Sequence, residues 1–267
     1  MTNQIVPTIT PSNINELFQC AKRFHQLRVM RDWPQNGKMS ASAQTGIAAH
    51  RVLRDVYEPA NIKGDQPDLS KLDLLARVAT ASQSIEPGQR PVVEANIRDL
   101  VRFYVNNDDL EDVEGTLGVE VEGRFTVADA NGAAFFMVQA KLDRVLVRAS
   151  QPTILVVRDY KTSHNKPRRD LYEALIQLWV AKLLYPGYAE YLLELDHITL
   201  DGIERQTVTS KELKRLSSIV VAQVRRFLAD PTFPPTRSEG CHFCPLKEAC
   251  WQDEPGTTVE ALESAFD

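Results

Sequence analysis

The stretch Val156-Val157-Arg158-Asp159-Tyr160-Lys161-Thr162 decides how the rest of the chain is read. With Ile154 and Leu155 ahead of it, it opens as a β-branched run suited to a buried central strand, then sets a carboxylate and an amine two residues apart. A strand repeats every two residues, so Asp159 and Lys161 share one face. Just upstream, Ala140-Lys141-Leu142-Asp143-Arg144-Val145 closes a segment, Ala134 to Val147, that reads as the returning strand of a hairpin. Its outgoing strand is the alternating run Leu117 to Phe125, and Asp129-Ala130-Asn131-Gly132 supplies the turn. Two neighbouring strands therefore deliver Asp143 and Asp159 to a common end of one sheet.

On the C-terminal side, Arg169 to Leu184 returns to helical periodicity, Tyr191 to Thr199 and Arg205 to Thr209 read as strands, and Lys211 to Leu228 reads as one long helix. The N-terminal side is helical. From Pro11 to Met30, with Ser12 as N-cap, Ile14, Leu17, Phe18, Ala21, Phe24 and Leu27 recur at steps of three and four. A second helix runs from about Ala43 to Tyr57, burying Ile47, Val52, Leu53 and Val56; a polar loop, Asn61 to Ser70, leads to helices over Leu72 to Val78 and Val92 to Tyr104. This order predicts one α/β domain over residues 1–267, with a mixed sheet flanked by helices. Residues 1–114 form a helical N-terminal part, 115–230 the core, and 231–267 a cysteine-rich C-terminal segment.

A chain of 267 residues with 43% hydrophobic and 25% charged side chains can bury a core. Its net charge of −5 excludes a protein that coats polyanions with its whole surface, though not a local basic groove. No stretch approaches the roughly 20 apolar residues of a membrane span. The start Met1-Thr2-Asn3-Gln4 lacks the basic and apolar regions of a signal peptide, so the expected location is cytoplasmic, with no membrane partner.

In a reducing compartment four cysteines point to ligation rather than to two disulfides. Cys241-His242-Phe243-Cys244-Pro245-Leu246-Lys247-Glu248-Ala249-Cys250 places three thiols within ten residues, while Cys20 stands 221 positions earlier on the first helix. Zinc usually takes two close pairs of ligands. An iron–sulfur cube can be wrapped on one side by a tight loop and closed by a distant residue. Spacing leaves Zn²⁺ and a [4Fe–4S] cluster both open; either would clasp the chain ends together.

Asp143, Asp159 and Lys161 have a joint chemical logic. Two hard oxygen ligands suit Mg²⁺ or Mn²⁺, and an ammonium beside them lies where an attacking water or a phosphate oxygen would sit. An isolated Asp-X-Lys is more often a surface ion pair. Here it stands in an ordered set: Thr10-Pro11-Ser12 with Cys20 and Arg23-Phe24, Gly46-Ile47-Ala48-Ala49-His50, Asp143-Arg144, Asp159-Tyr160-Lys161-Thr162, Gln177, and Cys241-X2-Cys244-Pro245-X4-Cys250. Over nearly its whole length the chain thereby resembles the PD-(D/E)XK nuclease superfamily. Within it, the chain looks like the RecB-like branch, with the nuclease domains of RecB and AddB and the CRISPR-associated exonucleases that carry an iron–sulfur cluster.

The resemblance implies a restriction-endonuclease-like fold and a metal-dependent DNA nuclease, with [4Fe–4S] rather than Zn²⁺ on Cys20, Cys241, Cys244 and Cys250. It further implies His50, Asp143, Asp159 and the carbonyl of Tyr160 as ligands of Mg²⁺ or Mn²⁺, Lys161 as catalytic lysine, and Gln177 as the glutamine of a Gln-X3-Tyr motif that positions the lysine or the nucleic acid. Three departures stand out. Ala181 occupies the tyrosine position of that motif, leaving Tyr172 or Tyr185 as substitutes from neighbouring turns; Ala140 replaces a glycine before the first aspartate; and Asp159 is the shorter form of the second acid. None removes a metal ligand.

Positive charge for DNA, as single strands or ends, is expected from Arg23 with Lys22, Arg28 and Arg31, from Arg51 with Arg54, and from Lys166, Arg168 and Arg169 in a loop that also holds His164. Tyr160, Tyr172, Trp179 and Trp251 are candidates to stack bases. The chain carries no GxxxxGK[ST] phosphate loop, so unwinding would come from a partner, a helicase or a CRISPR or recombination protein. The alternative is a nuclease fold used as a DNA-binding subunit of a defence, recombination or CRISPR adaptation complex, with cleavage weak or absent. The acidic tail from Asp253 to Asp267, with Val259, Leu262 and Phe266 at helical spacing, is unassigned.

Overall fold

The computed structural model describes residues 6–31, 41–58, 62–63, 66–129, 131–162, 170–199, 201–237, 241–242, 244–247 and 250. Strand β1 (Thr8–Ile9) leads into helices α1 (Ile14–Gln19) and α2 (Ala21–Phe24), the latter running on as a π-helical stretch, His25–Val29. Helix α3 (Ala41–Tyr57) precedes the small pair β2 (Ile62–Lys63) and β3 (Gln66–Pro67), and α4 (Leu72–Ala81), α5 (Arg90–Asn106) and α6 (Leu110–Glu114) complete the helical part. The core follows as β4 (Thr116–Ala128), β5 (Ala134–Leu146), β6 (Ile154–Lys161), α7 (Leu171–Leu184), β7 (Glu190–Thr199), β8 (Gly202–Thr209), α8 (Ser210–Leu213) and α9 (Leu216–Ala229).

The main sheet runs β1-β5-β6-β7-β8, with β4 on the other edge of β5. It is mixed: β4–β5, β5–β6 and β7–β8 are antiparallel, β1–β5 and β6–β7 parallel. Strand β5 is forked. Its first half pairs with β1 up to Ile9↔Val138, and its last residues pair with β6 from Arg144↔Arg158 onward. The ladder is open between, and Asp143 sits at the crotch of the fork.

Each face of the sheet carries its own core. Helix α7 is apolar nearly all round, as a helix buried on every side must be, and packs with α1, α2 and α9 on Leu142, Val145, Val157 and Leu193. On the other face α3, α4 and α5 enclose Val52, Leu53, Tyr57, Val101 and Tyr104 against Tyr160 and Ile198.

Beside that second core lies a closed ionic network. Arg144 reaches Asp108 at 2.6 Å and the carbonyl of Asp112 at 2.5 Å; Arg158 reaches Asp108 at 2.8 Å, Asp112 at 2.5 Å and Glu194 at 2.6 Å. Arg148 pairs with Asp112 and Glu194, and Arg205 with Asp196, which also accepts the Tyr104 hydroxyl at 2.7 Å. Both Arg144 and Arg158 are fully buried. Each flanks an acid of the proposed site, so the network fixes the backbone on which Asp143 and Asp159 stand.

The structure corrects several boundaries. The expected helix from Pro11 to Met30 is broken at Cys20, which is extended (φ −158°, ψ 113°) and whose Sγ accepts the Arg23 N–H at 3.4 Å. Apolar periodicity runs through the break because the Cys20 N–H still bonds Glu16 O and the Phe24 N–H still bonds Cys20 O. Ser12 is not the N-cap: α1 begins at Ile14 after Asn13, whose side chain instead ties the loop to Thr10 and Thr8. The helix expected over Lys211 to Leu228 is two, α8 and α9. Among the described residues no helix is long and apolar enough to cross a membrane.

Candidate active site

Asp143 stands where β5 has lost its neighbour, and its side chain takes the place of a ladder bond: Oδ2 accepts the backbone N–H of Tyr160 at 2.9 Å. Helix α3, seated by Ala48, Ala49, Val52 and Leu53, brings His50 Nδ1 to 3.2 Å from the same oxygen. On β6, Asp159 faces α7, where Gln177 donates from Nε2 to Asp159 Oδ2 at 2.9 Å, and Lys161 Nζ lies 2.9 Å from that oxygen. Gln177 is buried on the sheet-facing side of α7, with its amide bonded to Asp159. The shared face of Asp159 and Lys161 follows from the strand period.

Glu120 completes the cluster, and no motif pointed to it. It lies across β4 from Asp143, between the pairs Val119↔Arg144 and Val121↔Leu142, and its backbone takes φ 50°, a left-handed value unusual for a glutamate. Ligand atoms of His50, Glu120 and Asp143 all lie within 4.8 Å of one another. The signal available in the sequence was hairpin register: folding at the Asp129 to Gly132 turn brings Glu120 level with Asp143.

The two acids are electrostatically unlike. Burial raises the Asp143 carboxyl, but the charge and hydrogen bond of His50, the Tyr160 N–H and Lys161 outweigh it, and its pKa falls below the ordinary value. At Asp159, burial and the neighbouring Asp143 charge outweigh Lys161 and Gln177, and the pKa rises. Burial lowers His50 and Lys161, yet the surrounding carboxylates leave both raised. The half-buried His50, Glu120 and Asp143 form a donor set that a divalent cation could bridge, while Asp159 lies outside that group and meets it through its charge interaction with Asp143.

Other expected residues lie elsewhere. Arg23 and Arg28 pair with the nearly buried Glu16, Arg28 at 2.6 Å, which ties the N-terminal helices together. Arg51 is exposed and donates to Ser82 at the end of α4. Lys166, Arg168, Arg169, His164, Trp251 and the acidic tail lie outside the described residues. The Tyr160 ring is buried among Tyr104 and His50, Tyr172 stacks on Phe18 at 4.4 Å, and Trp179 packs on Phe136, so these aromatics belong to the core. Ala181 is fully buried in the α7 core. The Tyr185 hydroxyl would stand 3.7 Å from a Cβ on Gly118 of β4. Cys20, Cys244 and Cys250 share one neighbourhood: burial and the other two thiols raise the Cys250 thiol, outweighing the lowering by the Lys22 charge and hydrogen bond.

A forked mixed sheet with two acids, a lysine and a glutamine at the fork defines a nuclease fold of the restriction-endonuclease type. The family model of the PD-(D/E)XK nuclease superfamily matches residues 8–251, and the chain belongs to that superfamily. Among solved structures, one described as "Putative exonuclease" from Eubacterium rectale is similar with a TM-score of 0.56 at 10% identity, covering 98% of this chain and 93% of that one. A second, SSO0001, has a TM-score of 0.37 at 17% identity, covering 91% and 86%. No curated protein matches.

Proposed function

We propose that the chain is a Mg²⁺- or Mn²⁺-dependent deoxyribonuclease of the RecB-like branch, an exonuclease or end-processing enzyme that acts on single strands or DNA ends. The observation that supports this most is the convergence of His50, Glu120 and Asp143 beside the Asp159–Lys161 pair. Asp143, Asp159, His50 and the Tyr160 carbonyl would hold the metal, with Glu120 added to the set. The metal would supply Lewis acidity and a water of lowered pKa. Gln177 fixes the Asp159 carboxylate, and Lys161, held charged by its carboxylate neighbours, orients the attacking water or neutralises charge gathering on the phosphate.

The cysteines would hold a [4Fe–4S] clasp, a reading supported by the charge interactions of Cys250 with Cys244 and with Cys20 at the helix break. Lacking a phosphate loop, the chain would rely on a helicase or a CRISPR or recombination partner for unwinding.

The test is cleavage of end-labelled single- and double-stranded DNA by anaerobically purified protein in Mg²⁺, Mn²⁺ or EDTA. Metal-dependent cutting that disappears in Asp159→Ala is expected. Folded protein that binds DNA without cutting it would replace the enzyme with a DNA-holding subunit.

A further inference from the structure

Lys141 of β5 lies two residues from Asp143, and its side chain is 50% exposed. Its cross-strand neighbour is Glu122, the natural partner for a lysine on a hairpin. The ammonium instead runs diagonally to Glu120, whose side chain is only 14% exposed and whose carboxylate belongs to the cluster with His50 and Asp143. Glu120 thus has two claims on its carboxylate, the Lys141 ammonium and a divalent ion held with His50 and Asp143.

We propose that Lys141 and the metal exchange on Glu120: the lysine neutralises Glu120 while the site is without its ion, and metal binding releases the ammonium to grip a backbone phosphate of the DNA. This rests on the metal-dependent reading above. The exchange is physically cheap, because an ion pair with one half-exposed member contributes little. A freed lysine at this position stands on the strand that carries Asp143, at the rim rather than in the core. The hairpin register sets Glu120 opposite Asp143, and the backbone there is left-handed (φ 50°). Ion and DNA would thereby bind cooperatively without any movement of the chain beyond one side chain.

Lys141→Met and Glu120→Gln test this in a Lys161→Ala background that does not cleave. Binding of an end-labelled single-stranded oligonucleotide is measured in Mn²⁺ and in EDTA, and Mn²⁺ uptake without DNA is measured by calorimetry. Lys141→Met should weaken DNA binding roughly tenfold in Mn²⁺ but less than about twofold in EDTA, with the salt slope in Mn²⁺ falling by about 0.7 for the one lost phosphate contact. The same variant should bind Mn²⁺ several-fold more tightly, since no ammonium is displaced, whereas Glu120→Gln should bind it roughly tenfold more weakly. Equal loss of DNA binding in both conditions, or unchanged Mn²⁺ affinity in both variants, would overturn the exchange while leaving the nuclease reading intact. A parent chain that takes up no Mn²⁺ would defeat both.

Discussion

Two clusters of charge meet β5 and β6, one residue apart in sequence, and they are built on opposite plans. Arg144 and Arg158 open into a sealed network in which four arginines meet four carboxylates, Asp108, Asp112, Glu194 and Asp196. Asp143 and Asp159 open into a cleft where three carboxylates, with Glu120, face Lys161, Lys141 and a histidine. The sealed network needs nothing further. The cleft sets three carboxylates against two lysines and an imidazole, beside the gap that β5 leaves between its pairings with β1 and β6. Charge closed into pairs serves structure, and charge held with shifted pKa values at a fork in the sheet marks a candidate site of chemistry.

Breaking one member of each cluster should therefore give opposite results. Asp159→Ala or Lys161→Ala is expected to lower DNA cleavage by roughly 10³-fold or more while leaving circular dichroism and iron content unchanged. Cleavage at the parental rate in either variant would remove the site. Arg158→Met, by contrast, leaves Asp108, Asp112 and Glu194 short of a buried partner, and should cost about 3–5 kcal/mol in urea denaturation. Loss of activity there should follow loss of fold; a stable but inactive Arg158→Met would show that the network tunes chemistry instead.

A third region sharpens the comparison. If the proposed iron–sulfur clasp is right, Cys20→Ser should strip iron from the chain and lower the melting temperature by on the order of 10 °C, because such a clasp would join segments far apart in sequence. Full iron content in that variant would refute the clasp.

The cleft was more legible in the sequence than the network, for a physical reason. Asp159, Lys161 and the hairpin that carries Asp143 follow from strand period and turn chemistry, which are local. The ionic roles of Arg144 and Arg158 could not be read, since their carboxylate partners lie 36 to 50 residues away and burial is set by tertiary packing. The pairing of Arg23 and Arg28 with Glu16 was hidden because nothing local shows that Glu16 turns back to them. The break at Cys20 was hidden by an apolar pattern that continues through it. Strand β1 was hidden by its length of two residues, too short for any alternation to show. Glu120 was the intermediate case: register could have found it, but its left-handed backbone could not be read from a glutamate in an alternating run.

The smallest expected effect separates the two clusters by acid. Burial raises the Asp112 carboxyl, but its bonds and charge interactions with Arg148 and Arg158 outweigh that and bring it from 3.8 down to about 2. A folded-state pKa below the unfolded one means the stabilisation is complete above the unfolded value and disappears as pH falls through the folded value. The network should thus lose roughly 2 kcal/mol between about pH 4 and pH 2 on account of this one group. Asp159 has the opposite sign, so its protonation relieves repulsion with Asp143 instead of breaking a pair. Urea denaturation across this acid range should show a steep decline in the parent, a shallower one from a lower starting point in Asp112→Asn, and no flattening in Asp159→Asn. If Asp159→Asn flattened the acid limb as much as Asp112→Asn, acid sensitivity would belong to the cleft, and the division between a sealed and an open cluster would fail.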